Sequence, residues 1–340
     1  MNTGRFQEIA ARFPSLRIAV VGDFCLDRYL EIDPGKAETS IETGLEVRNV
    51  VNVRSQPGGA GTILNNLVSL GVGAIHPVGF CGHDGEGAEL LQALQAAGEQ
   101  VDLSRFIQTD QRRTFTYTKP LLVRDGQPPE ELNRLDFKNW TPTPESVSRQ
   151  IRDRLLELAE GVDAIVALDQ VDEPGTGAIT EDVLAALDEI HSRPEAPLIL
   201  GDSRNAIERF PPVTLKVNDV EFRRRLATGP EAGSAEIRKL VSETTESRAS
   251  RLFVTLGPDG ILCGASGTTS LEAPAHPVRR DIDIVGAGDA VTANLAAALA
   301  AGADNREAME SAMAAASVVI HKLGTTGTAS PEEIRLLLDA

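Results

Sequence analysis

Cysteine is scarce in this chain of 340 residues: Cys25, Cys81 and Cys263 are the only three, widely spaced and with no CxxC pair. That argues against a zinc site and a disulfide framework, and it fits a reducing compartment where the thiols are small buried groups. Basic residues are also in deficit, 33 against 50 acidic ones, for a formal net charge of −17. Such a surface repels phosphate backbones and argues against nucleic acid as a partner. It leaves room for a nucleotide, because backbone amides can hold an anion inside an acidic protein. No run reaches the roughly 18 apolar residues of a membrane span, and the Ala-rich stretch after Asp289 is interrupted by Thr292, Asn294 and Gly302. The N-terminal MNTGRFQEIAARFPSL has no apolar h-region and no cleavage pattern. The expectation is a cytoplasmic protein without membrane contact.

What is present is the composition of an ordinary globular protein, 41% hydrophobic and 24% charged. Short apolar runs at Leu16–Val21, Ala164–Leu168, Leu198–Leu200 and Leu252–Thr255 suit strands buried on both faces. Helical patterns lie between them at about 62–70, 85–97, 145–160, 181–191 and 235–246. The alternation predicts a doubly wound, mostly parallel α/β sheet, with ligands at the carboxyl ends of its strands. Asp23, Asp169 and Asp202 stand at such ends, either near a site or as plain turn and cap residues. Two Val/Thr-rich segments, 41–54 and 113–123, break the rhythm and read as antiparallel strands of a small β-flap. The whole of 1–340 is therefore expected to be one domain, with lid segments at about 33–57 and 111–138 inserted in it. Exposed strands of that kind need cover, which predicts a homodimer through the lids.

Four segments could carry chemistry. In Asp283-Ile-Val-Gly-Ala-Gly-Asp289 a glycine turn opens a helix. Free N–H groups there make an anion site, and Asp289 in the first turn could take a proton from an attacking hydroxyl. The bland alternative is a carboxylate that merely stabilises the helix dipole. Pro57-Gly-Gly-Ala-Gly-Thr62 is a second glycine turn into a helix; it has neither the GxxxxGK[ST] nor the GxGxxG order, and by itself could be only a tight turn. In Lys216-Val-Asn218-Asp-Val-Glu221, Asn218 and Glu221 would share a helix face and could hold Mg²⁺ through water, or could simply be a capping box. Val254-Thr255-Leu-Gly257 is a buried strand running into a turn.

In this order and spacing the four segments resemble the PfkB-type carbohydrate kinases of the ribokinase superfamily, over nearly the whole chain. DIVGAGD is similar to that family's DTxGAGD signature, PGGAGTILNNLVSLG to GGAANVA…LG, NDVE to NxxE and VTLG to V-T-x-G. Within the family, VVGDFCLDRYL, CGHDGEG, LNRLDF and HKLGTTGTAS most resemble the heptose-7-phosphate kinase domain of lipopolysaccharide core synthesis. That domain is often fused to a C-terminal nucleotidyltransferase, which is not expected here.

The resemblance implies a ribokinase-like fold and ATP-dependent phosphorylation of a hydroxyl on a sugar or sugar phosphate, with Mg²⁺. By position, Asp289 matches the base and Gly286, Ala287 and Gly288 the anion hole. Asp27, Gly58, Gly59 and Thr62 match the sugar site; Asn218 and Glu221, with Thr255 and Gly257, match the nucleotide and metal side. Residues 311–320 would line the adenine pocket. The chain departs from the pattern at Thr62, where the family has Asn, at Ile284 and Val285, and at Asp169–Gly177, which lacks the family's lysine. DPKG is replaced by Asp202-Ser-Arg-Asn205. These departures leave open a catalytically silent sugar- or nucleotide-sensing protein of the same fold, and the superfamily leaves open a nucleoside kinase.

Overall fold

A computed structural model describes residues 1–204, 207–225, 234–248, 251–324 and 326–339. The main sheet is built from β1 (Arg17–Gly22), β4 (Ala74–Val78), β6 (Ala164–Asp169), β7 (Leu198–Ser203), β8 (Thr214–Asn218), β9 (Arg251–Thr255), β10 (Ile261–Ala265) and β11 (Leu271–Ala273). Their order is β11-β10-β9-β8-β7-β6-β1-β4, parallel from β9 to β4 and antiparallel at β10 and β11.

The apolar runs predicted from sequence form these strands because both faces are covered. In β1, Ile18 and Val20 enter one buried cluster while Ala19 and Val21 enter the other. In β6, Ala164, Val166 and Leu168 alternate in the same way with Ile165 and Ala167. Alternation with no polar face is the mark of a doubly wound sheet. One face carries α2 (Ala60–Leu70), α8 (Ala287–Ala300) and α9 (Asn305–Ile320); the other carries α4 (Glu145–Leu158), α5 (Glu181–His191) and α7 (Ser234–Arg248). Each fully buried Leu or Ile, such as Leu64 or Ile151, contributes about 1.5–3 kcal/mol. Ala290, Ala293, Ala296 and Ala297 are fully buried, so the small side chains of α8 let it pack closely between α2 and α9.

A second, five-stranded sheet stands apart. Its middle strand is β2 (Phe24–Ile32), paired antiparallel with β3 (Val50–Gly59) and parallel with β5 (Phe115–Leu122); residues 130–131 and 135–137 add two short strands on the far side of β5. The expected antiparallel strands are both present: β3 pairs antiparallel with β2, and β5 pairs antiparallel with 130–131 and 135–137, while on its other side β5 runs parallel to β2, from which 82 residues separate it with no hairpin joining the two. Besides residues of the segments 33–57 and 111–138, the second sheet contains β2, which follows β1 directly after Asp23.

Candidate active site

The carboxyl ends of β1, β6, β7, β8 and β9 share one edge of the main sheet, and α8 starts against that edge. Gly286 caps α8 in the left-handed region, at φ 84°. A Cβ there would come within 2.4 Å of the Thr326 side chain, so glycine is required twice over. The Ala287 N–H donates to Ile284 O at 3.2 Å and the Ala290 N–H to Gly286 O at 3.0 Å. Between them, the N–H groups of Gly288 and Asp289 lie in the first turn, where no carbonyl four residues back can take them. Asp289 is half-buried in that turn. Burial raises its pKa to about 7, against the opposing charge of Lys216 and Arg204 and with that of Asp202 and Asp27.

Beneath this turn lies a buried ion pair. Lys216 alternates in β8 with Leu215 and Val217, so it takes the face covered by α8. Its Nζ donates to Asp202 Oδ2 at 2.9 Å, and the same oxygen accepts from Thr292 Oγ1 at 2.8 Å. Burial pushes the Lys216 pKa down, but Asp202 outweighs it and the group stays charged. A Cβ on Gly288 would sit 3.3 Å from that Nζ, so the cation lies directly against the glycine turn.

The three strand-end carboxylates have different tasks. Asp23 is buried and accepts N–H groups from Gln170 at 2.8 Å, Val171 at 3.2 Å and Ala178 at 2.6 Å, which makes it a turn residue. Asp169 accepts Ser203 Oγ at 2.9 Å and is pushed up to about 7 by burial and by the charge of Asp23. Asp202 holds Lys216.

The residues expected on a sugar side lie on β2, the end of β3 and the first turn of α2. Asp27, in β2, is buried and lies 3.4 Å from Lys119 Nζ, which also donates to Tyr29 Oη at 3.3 Å. Burial raises the Asp27 pKa and Lys119 opposes the rise. A Cβ on Gly58 would come within 2.8 Å of Asp27 Oδ2 and of Cys25 Sγ, and one on Gly59 within 2.4 Å of Asp23 O. Thr62 is buried in α2, and its Cγ2 would lie 3.7 Å from a Cβ on Gly286.

On the other side, Asn218 ends β8 and caps α6 (Asp219–Arg225). The Asn218 N–H donates to Glu221 Oε2 at 2.9 Å, and the Glu221 N–H to Asn218 Oδ1 at 2.8 Å. This corrects the expected shared helix face: Asn218 is a cap, and the pair forms a reciprocal capping box. Thr255 is the register partner of Asn218 on β9, and Gly257 follows at φ 58° with open space beside it. The two departures after Asp283, Ile284 and Val285, are exposed.

Sequence reasoning missed Lys216, Thr292 and Lys119. The signal for the first was a lysine inside an otherwise apolar strand, TLKVN. A surface cavity of about 270 Å³, lined by His191, Pro194, Leu198 and Val213 among others, lies at the amino ends of β7 and β8 and includes none of these residues.

A family model described as pfkB family carbohydrate kinase matches residues 175–333. The bifunctional protein HldE of Pelobacter propionicus is 30% identical over 98% of this chain and 65% of its own length. That of Methylococcus capsulatus is 32% identical over 96% of this chain and 64% of its own. The chain thus spans slightly under two thirds of the length of these curated relatives. Among solved structures, Arabidopsis thaliana ribokinase complexed with ribose and ATP superposes with a TM-score of 0.69 at 20% identity, over 96% of this chain and 99% of that one. Escherichia coli phosphofructokinase-2 in complex with fructose-6-phosphate gives 0.71 at 18% identity, over 95% and 98%. The two solved structures show the ribokinase-like fold, and the family model over residues 175–333 with the relatives at 30% and 32% identity places the chain in the pfkB family of carbohydrate kinases.

Proposed function

We propose that the protein transfers the γ-phosphoryl group of ATP to a hydroxyl of a sugar or sugar phosphate. The observation that carries this reading is Asp289: a carboxyl raised to about 7, in the first turn of a helix whose Gly288 and Asp289 N–H groups have no intrahelical acceptor. The acceptor hydroxyl oxygen bonds to the γ-phosphorus, the bond from phosphorus to the bridging oxygen breaks, and ADP leaves with that electron pair. Asp289 takes the hydroxyl proton, and the N–H groups of Gly288 and Asp289 face the negative charge of the group in transit, while the Ala287 N–H is held by Ile284 O. A pKa near working pH suits a base, which must be ionised yet still basic. Asp27, Gly58, Gly59 and Thr62 would orient the sugar; residues 311–320 would line the adenine. The second sheet would act as the lid over the acceptor.

Glu221 Oε2 is occupied by the Asn218 N–H, which leaves Oε1 for the water shell of a cation, an oxygen-only arrangement that fits Mg²⁺. Thr255 and Gly257 border the same side. Mg²⁺, when bound, neutralises charge between the phosphates. Turnover, read as ADP release over a panel of sugars and sugar phosphates, is expected to require added Mg²⁺ and to vanish in excess EDTA. Full turnover in EDTA would refute the metal role, and ADP release with no acceptor at all on the panel would refute the kinase reading.

The reading includes a homodimer. Val50, Val51 and Val53 are exposed on β3, the outer edge of the second sheet, with Ile41 and Leu45 exposed in the hairpin before it. An apolar edge of that kind is suited to cover by a second copy. Light scattering at micromolar concentration should give twice the 36.2 kDa of one chain. A monomer would sink this part.

A further inference from the structure

The segment HKLGTTGTAS follows α9 and lies against the start of α8. It is fixed to the body of the protein. Just before it, Ile320 O accepts the Asp283 N–H at 2.8 Å. Within it, Lys322 Nζ donates to Thr328 O at 2.7 Å and pairs with Glu333 at 2.7 Å. A Cβ on Gly286 would come within 2.4 Å of Thr326 Cγ2, so that methyl packs against the Cα of the left-handed cap of α8.

Gln56 approaches the same point from the second sheet. It is the register partner of Asp27 across β2 and β3, and directly opposed residues of an antiparallel pair share one face. Two residues on, Gly58 and Gly59 end β3 and lead into α2 with Thr62. Gln56 therefore stands among the residues assigned to the acceptor. Its Nε2 donates to Thr326 Oγ1 at 2.7 Å, and both residues are half-buried, so water competes only in part for the bond. A threonine hydroxyl can donate or accept, so the pairing holds whichever way the amide is turned. From the acceptor strand to the glycine cap the path is two contacts long, Gln56 to Thr326 and Thr326 to Gly286. Asp27 belongs to the second sheet and Asp289 to a helix on the main one. The distance between an acceptor hydroxyl and its base depends on how those two bodies are held together.

We propose that Gln56 and Thr326 are a pair of positioning residues that pin the acceptor strand β3 to the Gly286 cap, so that the acceptor hydroxyl is held at Asp289 and in line with the phosphoryl group; this rests on the kinase reading. Neither residue touches a reacting atom. Thr326 does two things with one side chain: its methyl braces the cap, and its hydroxyl takes the amide of Gln56. Transfer in line is sensitive to such bracing, since a misplacement of about 1 Å can cost about 100-fold in rate.

The test compares Gln56→Leu, Thr326→Val and the double variant with the wild type, each as the full chain, on an acceptor the wild type turns over. Leucine removes the amide; valine keeps the methyl against Gly286 and removes only the hydroxyl. Each single change should lower kcat by about tenfold and leave KM for ATP almost unchanged, a split that a general loss of folded protein would not produce. The double variant should be no slower than the slower single one, because both changes break the same bond. Single variants within about twofold of wild-type kcat overturn the positioning role, and losses that multiply to about 100-fold in the double variant overturn the pairing. Hydrogen exchange gives a reading that needs no acceptor. In Gln56→Leu, at a temperature where the melt shows it fully folded, the Ala287 and Ala290 amides of the cap should exchange faster than in the wild type. Should the wild type turn over no sugar or sugar phosphate, the kinase reading fails, and exchange still decides the bracing: faster exchange at the cap supports it, and unchanged exchange overturns it.

Discussion

Replacing Asp289 by Asn is expected to lower turnover by about two orders of magnitude or more while leaving the fold and ATP binding in place. An alcohol is a weak nucleophile at neutral pH, so a base aligned with it matters, and general-base contributions are typically about 100- to 10,000-fold. Asn has the same size and shape but cannot take a proton. Its structural cost is small: Asp289 sits half-buried in the first turn of α8 and, among the described residues, accepts no hydrogen bond that Asn would lose. The lost helix-dipole interaction is worth about 0.3–1 kcal/mol. The same group sets the pH dependence. A base with a pKa of about 7 is ionised above that pH and protonated below it, so wild-type kcat should fall as pH drops through about 7. In Asp289→Asn the residual rate should no longer show that limb. Steady-state kinetics across pH, with a thermal melt for each protein, separates the outcomes. A variant that keeps more than about a tenth of wild-type turnover would overturn the assignment, whereas a collapsed melting temperature would point to a structural role.

The parts of this protein that were legible in the sequence are those set by local physics. The strands Ala164–Asp169 and Arg251–Thr255 show as short apolar runs because both their faces are buried, and α8 shows its start in Gly286-Ala-Gly because a helix opening on a left-handed cap needs glycine. Asn218 and Glu221 were legible as a pair but not in role. Their three-residue spacing serves a capping box and a metal site alike, and only the fold reveals that Asn218 is the cap. Strand β2 was not legible as part of the second sheet, because its partner β5 lies 83 residues beyond β2's end and nothing local specifies parallel pairing. The pairs that shape the site, Asp27 with Lys119 and Asp202 with Lys216, come from strand register. Asp202 and Lys216 are direct partners across the parallel strands β7 and β8, a neighbour relation that exists only once both strands have joined the sheet.

That register pair supports the second large expected effect. Lys216→Met should destabilise the protein by roughly 3–5 kcal/mol, the cost of leaving one partner of a buried ion pair uncompensated. Both side chains are almost fully buried, and Asp202 would keep only the Thr292 hydroxyl as a described donor to its carboxylate. Methionine fills the space of the lysine stem, so cavity formation adds little. A second change, Asp202→Asn in the Lys216→Met background, removes the orphaned charge and still offers an oxygen to Thr292. Most of the lost stability should return, because taking both charges out of a buried pair is often close to neutral. Turnover should behave otherwise. Lys216 lies against Gly288 and opposes the burial-driven rise of Asp289, so its removal pushes the base toward its protonated form and withdraws positive charge from beneath the anion-binding turn. The double variant should therefore regain stability in urea titration and remain at least about tenfold below wild type in kcat, the size of effect expected when one electrostatic contributor to the transition state is lost. Lys216→Met within about 1 kcal/mol of wild type would show that the pair contributes nothing to folding. A double variant with wild-type kcat would show that Lys216 serves the fold alone.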